Sequence, residues 1–308
     1  MDSLNGPISF LKLVATTTLL QIIWLLGFIF VFGILLSLLA RFTRITFVKT
    51  TGLKSDIFFT GWIGVPVHEL GHALFCIIFR HKIIDIRLYR PNAEDGTLGY
   101  VNHTYNSKSI YQKIGNFFIG VGPILTGSLA IYVALYLLVP NHSDIFEPLK
   151  RGGSELVHVT QSNSGAILAT YWQNTISILN NLFTASNLTS YKFWIFLYLS
   201  LCISSHMQLS APDVKGASSG LASILIFFMV INAIILGLEA LGVSNQFGNW
   251  WNYLKLESYA LGINKWVGKF GTLLALATVI SSINFTVSYV LLSIVSVLRG
   301  KGLVNPTH

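Results

Sequence analysis

Charged residues are scarce in this sequence: Asp, Glu, Lys and Arg together make up 10% of its 308 residues. Hydrophobic residues make up 53%, and the mean hydropathy is +0.64. These values exclude an ordinary water-soluble globular domain of this length, because such a domain needs more polar surface. The composition therefore indicates a membrane protein.

Cysteines and dense basic runs are also lacking. The two cysteines, Cys76 and Cys202, both lie in apolar stretches, which gives no support to a disulfide framework, and we expect them to pack in the core. The formal net charge is +8, but the Lys and Arg residues are scattered through short loops. This distribution argues against nucleic-acid binding and indicates contact with anionic lipid headgroups.

Long apolar runs are what the chain has in abundance. A helix of about 18 or more apolar residues can cross a hydrocarbon core of roughly 30 Å. The first run follows MDSLNGP, which lacks the basic region of a signal peptide, so we expect a retained helix. Six runs qualify: about Ile8 to Leu39, Ile57 to Phe79, Ile114 to Val139, Tyr191 to Leu209, Leu221 to Leu241 and Gly271 to Leu298. The sequence predicts an all-α polytopic membrane protein of about six transmembrane helices, forming a single integral membrane domain over residues 1–308.

A short stretch between the second and third predicted spans has a different pattern. The sequence HKIIDIRLYRPNAEDGTLGYVNHTY alternates apolar and polar residues on both sides of a Pro, Asn, Asp and Gly cluster. This pattern is typical of two paired strands around a turn. We therefore expect a small β-hairpin after the second span.

The second span contains the sequence HELGH, with His68, Glu69 and His72. Histidines four residues apart on a helix project from one face and can supply two ligands of a tetrahedral zinc site. Zinc lowers the pKa of a water molecule, and a glutamate directly after the first histidine can accept the proton from that water. The motif predicts a zinc-dependent hydrolase with Glu69 as the general base.

The position of the motif in its span favours function over mere tolerance of polar residues. His72 lies eight residues before Arg80, or about 12 Å along a helix. Ionisable groups at membrane depth are costly and usually serve a function. We therefore interpret the motif as a site that water reaches through the protein.

A catalytic zinc site needs a third protein ligand, and the carboxylate candidates are few. Asp213, at the end of the fourth predicted span, is favoured because Pro212 can break the helix and turn nearby groups inward. Glu239, in the fifth span, is the competing candidate, although it can also simply face the interface. His206 is expected to orient substrate, to support the metal ligands, to ligate, or to be a packing residue.

These residues resemble the site-2 protease family of intramembrane zinc metallopeptidases, over roughly the middle half of the chain. HELGHALF in a membrane span is the most specific part of the resemblance. In that family a short hairpin follows the HExxH helix, and the next helix begins near a Gly-Pro pair, which Gly122 and Pro123 match here. A later helix carries an aspartate ligand in a motif with Asn, Pro and Leu-Asp-Gly, and SSHMQLSAPDVKG keeps the proline and the aspartate.

The resemblance implies a catalytic core over about residues 57–216, one Zn²⁺ per chain held by His68, His72 and Asp213, and peptide-bond hydrolysis. It also departs from the family pattern: Pro212 stands where leucine is usual, Val214 replaces the glycine, and Ser205 falls where asparagine is expected. These departures bear on substrate handling more than on ligation. Roles in substrate binding or metal support are expected for His206, Ser205, Gly122 and Pro123.

The implied partners are a membrane-protein substrate and the lipid bilayer, with no nucleic acid, and the oligomeric state is left open. The implied location is the cell membrane, with the catalytic opening toward the cytosol. Three alternatives stay open: a prenyl-protein-type metallopeptidase with a glutamate as third ligand, a non-catalytic relative that binds membrane proteins, and a metal transporter. Zinc loss on Glu239→Gln, but not on Asp213→Asn, favours the first of these.

Overall fold

The computed structural model describes residues 6–93, 96–148, 173 and 176–307. Most of this part of the chain is helical. The helices are α1 (Pro7–Thr51), α2 (Leu53–Asp56), α3 (Trp62–Ile78), α4 (Ile110–Leu138), α5 (Ala185–Leu188), α6 (Tyr191–Ser205), α7 (Ala211–Ala240), α8 (Ser244–Phe247) and α9 (Ala260–Leu298). A π-helical turn, Ile57–Gly61, joins α2 to α3, and two 3₁₀ segments, Gly248–Leu254 and Leu256–Tyr259, precede α9.

Five helical stretches are long and apolar enough to cross a membrane, namely α1, the continuous α2–α3 stretch Leu53–Ile78, α4, α7, and the stretch Leu256–Leu298 that contains α9. The predicted fourth span is instead the 15-residue helix α6, which is shorter than the bilayer core requires. Within the described ranges the predicted count of about six spans is therefore corrected to five. The helical membrane character and the small sheet agree with the predicted fold class.

The surfaces of the long helices are arranged as in a protein that faces lipid. Large apolar side chains such as Ile34, Ile226 and Leu291 are more than half exposed. Polar side chains such as Gln21, Asn232 and Asn284 are buried. Polar groups inside and apolar groups outside are what a hydrocarbon solvent favours.

Helix α4 packs against both α3 and α7, and glycines allow the close approach. A Cβ atom on Gly71 of α3 would lie 2.9 Å from Pro123 Cα, and one on Gly220 of α7 would lie 2.0 Å from Phe117 N. Small residues at helix contacts are typical of membrane proteins, because they let backbones approach and gain dispersion contacts. These contacts fix the heights of α3 and α7 relative to α4.

The predicted hairpin corresponds to two antiparallel strands, β1 (Lys82–Arg87) and β2 (Tyr100–Thr104), with Lys82 opposite Thr104 and Arg87 opposite Tyr100. The strands directly follow α3. Their connection folds back toward that helix, because Tyr89 Oη donates a hydrogen bond of 2.8 Å to the Ile57 carbonyl. The sheet therefore lies next to the HELGH segment.

Candidate metal centre

Helix α3 places His68 and His72 on one face, as their spacing predicts. Their Nε2 atoms lie 3.2 Å apart. Pro66 lies two residues before His68 inside the same helix, and the π-helical turn precedes this helix. Irregular helical geometry of this kind is frequent at functional sites.

Both imidazole rings are oriented by backbone carbonyls from other elements. His68 Nδ1 donates to the His206 carbonyl at 2.7 Å, and His72 Nδ1 donates to the Ile119 carbonyl of α4 at 2.8 Å. A carbonyl oxygen can only accept a hydrogen bond, so each Nδ1 carries the proton. In the neutral rings, each Nε2 then offers a bare lone pair, which is the usual arrangement around metal-ligating histidines.

Asp213 completes the cluster from the first turn of α7. Asp213 Oδ1 lies 3.2 Å from His72 Nε2, and Asp213 Oδ2 lies 3.7 Å from His68 Nε2. The carboxylate is held by Ser210, whose backbone N–H and Oγ–H donate to Oδ2 at 2.7 and 2.6 Å. The Ser210 side chain in turn accepts from the Asp213 N–H at 3.4 Å, which makes a capping box.

These three side chains could hold a metal ion, because one ligand atom from each lies within 4.8 Å of the others. Ligand atoms about 2.0–2.1 Å from a tetrahedral zinc lie about 3.3 Å from one another. His72 Nε2 lies 3.2 Å from both His68 Nε2 and Asp213 Oδ1, while His68 Nε2 lies 3.7 Å from the other carboxylate oxygen, Oδ2. Because both Nδ1 atoms carry a proton, the two Nε2 atoms of the neutral rings are acceptors, as are the carboxylate oxygens of Asp213. A cation shared by these atoms would remove their mutual repulsion.

Glu69 is buried beside this cluster, in the wall of a cavity of about 230 Å³ that also exposes His68. The segment before β2 covers the carboxylate. A Cβ atom on Gly99 would lie 2.7 Å from Glu69 Cγ and 2.9 Å from Val65 Cγ1. The predicted general base therefore lies between the metal ligands and the hairpin.

The other predicted site residues support this cluster in different ways. His206 contributes its carbonyl to His68 and is one of the residues that line the cavity, and its ring Nδ1 lies 3.2 Å from the Cys202 carbonyl. Ser205 is buried, and its Oγ donates to the same carbonyl at 3.1 Å. Gly122 and Pro123 lie at the α3–α4 contact, one turn after Ile119, where a Cβ on Gly122 would be 2.8 Å from the Gly71 carbonyl.

The predicted position of Asp213 at the end of the fourth span is wrong. Helix α6 ends at Ser205, and Asp213 belongs to the next helix. The start of this helix was not predicted, because the sequence from Ser204 to Lys215 is polar and the apolar run begins only near Leu221. Glu239, the rival ligand, lies 26 residues further along α7, about 39 Å away at helical rise. It is paired with Lys255 and accepts from Trp251 Nε1 at 2.8 Å.

Three contributors to the site were missed from the sequence. Ser210 had a readable signal, because Ser-Ala-Pro-Asp before an apolar run is a capping-box pattern with proline in the first turn. The carbonyl of Ile119 had none, since every residue carries a carbonyl. Gly99 lies in the predicted hairpin region, but only the fold shows that it contacts Glu69.

Comparisons of the chain with protein-family models, with curated proteins and with solved structures return no match. The chemistry of the cluster is therefore the basis on which a function is assigned.

Proposed function

We propose that this protein is an intramembrane zinc metallopeptidase of the site-2 protease type, which hydrolyses peptide bonds in transmembrane or membrane-proximal segments of other proteins. The single observation that carries the proposal is the convergence of His68, His72 and Asp213, with ligand atoms within 4.8 Å of one another, next to the buried carboxylate of Glu69. A purely structural metal site has no use for such a base.

The donor set predicts the division of labour in hydrolysis. His68, His72 and Asp213 would hold the zinc ion, and the bound zinc would act as a Lewis acid that activates water and polarises a carbonyl. Glu69 accepts the proton of the attacking water and delivers it to the leaving amine. The bonds of both imidazoles to backbone carbonyls keep the ligands aligned during this cycle.

The hairpin supports a role in substrate binding. A transmembrane helix must unwind before its carbonyls are accessible, and an extended segment can add to a strand edge through main-chain hydrogen bonds. The β1–β2 sheet begins four residues after α3 ends, and its connection contacts Glu69 through Gly99. A substrate strand beside this sheet would lie near the proposed base.

The alternatives differ in what the rest of the bundle would have to supply. A prenyl-protein-type enzyme uses a glutamate ligand, but Glu239 lies far along α7 and is paired with Lys255. A transporter needs polar residues in several helices at similar depth, whereas the candidate ligands lie in only two helices, α3 and α7. A non-catalytic relative that binds membrane proteins has no need for a base at Glu69. In an experiment it differs from the peptidase only because it does not cleave the bound protein.

The experiment is parallel measurement of zinc content and of cleavage of a synthetic transmembrane peptide in purified wild type, Glu69→Gln, Asp213→Asn and Glu239→Gln. We expect Glu69→Gln to keep zinc and lose about 10²- to 10⁴-fold in rate, Asp213→Asn to lose both, and Glu239→Gln to keep both. Normal cleavage by Glu69→Gln overturns the mechanism. Zinc loss in Glu239→Gln alone supports the prenyl-protein type, and zinc without cleavage in wild type supports the binding relative.

A further inference from the structure

An arginine from outside the ligand-bearing helices lines the same cavity as Glu69. Arg44 lies near the C-terminal end of α1, and its side chain is 36% exposed. It shares the cavity wall with His68 and Glu69. A cation that shares a cavity with a proposed catalytic base and a proposed metal ligand calls for a physical explanation, because charged groups inside a membrane protein are costly.

Asp56 explains how Arg44 is oriented. The Arg44 Nε atom lies 3.3 Å from Asp56 Oδ2, and the aspartate is fully buried. Thr60 Oγ donates to the other carboxylate oxygen at 2.9 Å. The buried carboxylate is thus held by its own helical stretch and fixes the guanidinium from one side.

The ion pair occupies only one of the donors of Arg44. A guanidinium carries five N–H donors in a planar fork, and in the part of the chain that the structure describes the Nη1 and Nη2 groups have no hydrogen-bond partner. Since the Asp56 charge already balances the arginine, these groups suit a neutral acceptor better than a second carboxylate. The cavity beside them is where an unwound peptide would have to lie to reach Glu69.

We propose that Arg44, oriented by Asp56, donates hydrogen bonds to a backbone carbonyl of the bound peptide, and so acts as a substrate-binding residue contributed by α1. This inference rests on the proposed function. It gives the first long helix a role in the site that the HELGH motif and Asp213 do not indicate. Arg44 would hold the peptide in register with the metal while the chemistry is left to Glu69.

The test is binding of a dye-labelled peptide of about twelve residues, built of Ala-Leu-Gly repeats, to zinc-treated protein carrying Glu69→Gln, so that no cleavage occurs. A charge-assisted hydrogen bond lost to Arg44→Gln should raise Kd about tenfold. The matched control is Arg41→Gln, an exposed arginine one turn earlier on α1, which should leave Kd unchanged. Melting temperature and zinc content report whether each variant is folded.

Arg44→Gln leaves Asp56 buried without its cation and can therefore unfold the protein. The double variant Arg44→Gln with Asp56→Asn removes both charges and keeps the test valid. A second set of peptides replaces one carbonyl at a time with a methylene. One replacement should weaken binding to the Arg44 protein about tenfold and have no further effect in the Arg44→Gln variants.

Peptide binding that is unchanged in both Arg44 variants overturns the proposal, and so does a set of carbonyl replacements that act equally with and without Arg44. Absence of any peptide binding also overturns it. The proposed function can fail separately from this inference. In that case the effects of Arg44 and of one peptide carbonyl on binding depend on each other, but protein with the natural Glu69 does not hydrolyse peptides. The peptide-binding site would then stand and the peptidase assignment would be wrong.

Discussion

Two clusters of polar side chains, each partly buried, lie in the same helix bundle, and their hydrogen-bonding groups are arranged in opposite ways. At the far end of α7 from Asp213, Asn232 donates to Gln21 at 2.8 Å and to Thr18 at 3.0 Å, while Gln21 donates to Glu257 at 3.1 Å. Each of these contacts joins a donor to an acceptor. We call these four residues the far cluster.

In the metal-centre cluster of His68, His72 and Asp213, the carboxylate accepts hydrogen bonds from Ser210, but the atoms that converge on one another are not paired in this way. Its two histidines give their protons to backbone carbonyls, so in their neutral forms their remaining lone pairs face each other and a carboxylate. Buried polar groups without partners are costly. The comparison teaches that polar residues in a membrane bundle are best judged by whether donors match acceptors: they match in the far cluster, whereas the metal-centre cluster could hold a cation.

The largest expected effect comes from forcing α4 and α7 apart. Gly220→Ala would place a Cβ 2.0 Å from Phe117 N, and overpacking of this kind costs about 1–3 kcal/mol. Because α7 carries Asp213, we expect zinc affinity to fall about tenfold or more, measured by competition with a chelating dye. Gly262→Ala, where no atom lies within 4 Å, is the control. Unchanged zinc affinity in Gly220→Ala would separate α7 packing from the site.

The hairpin contact with Glu69 should affect catalysis without affecting the metal. Gly99→Val would displace the Glu69 side chain, since even a Cβ there lies 2.7 Å from Glu69 Cγ. We expect cleavage to slow about tenfold while zinc content stays at one per chain, given that correct placement of a general base is worth at least that factor. Thr104→Val, an exposed change on β2, controls for hairpin damage. Zinc loss in Gly99→Val would contradict the separation of base and ligands.

Removal of the aspartate's cap should weaken the metal centre modestly. Ser210→Ala deletes the hydroxyl that donates to Asp213 Oδ2 at 2.6 Å, and loss of such a cap costs about 1 kcal/mol. This corresponds to about fivefold in zinc affinity. Ser218→Ala, on the same helix with a bond only to the Val214 carbonyl, should leave zinc affinity unchanged. Equal effects of the two changes would indicate a general loss of α7 stability.

The smallest effect belongs to the far cluster. Asn232→Leu removes two donor–acceptor contacts, and interhelical hydrogen bonds in membrane proteins contribute about 0.6 kcal/mol on average. We expect a small drop in melting temperature, with zinc content and cleavage unchanged. If Asn232→Leu releases zinc, the two clusters are coupled and the comparison between them fails.

Part of this site could be predicted from the sequence because its signals are local. The four-residue spacing of His68 and His72 fixes their shared helix face, and the alternating pattern after Arg80 predicts the two strands. Asp213 was identified as a ligand candidate from its proline context and from the family resemblance. Its place in the first turn of α7 could also have been read, because Ser210 and Asp213 have capping-box spacing.

The other features of the site depend on how the helices pack against one another, and local sequence patterns do not indicate that packing. The carbonyls of Ile119 and His206 act through their positions opposite two imidazoles, and those positions follow from glycine contacts between helices. Arg44 is about 24 residues before the motif and enters the cavity only because α1 packs beside it. Within the described ranges, fewer helices than predicted are long enough to cross a membrane, because α6 is apolar but only 15 residues long.

The central claim is that the acceptor-only cluster holds a metal ion. The most direct measurement is elemental analysis of purified wild type and His72→Ala after incubation with zinc, combined with X-ray absorption at the zinc edge. We predict one zinc per wild-type chain, bound by two imidazole nitrogens and oxygen ligands at about 2.0–2.1 Å, and none in His72→Ala. Wild-type protein that is folded and remains free of zinc and of other divalent metals would contradict the account.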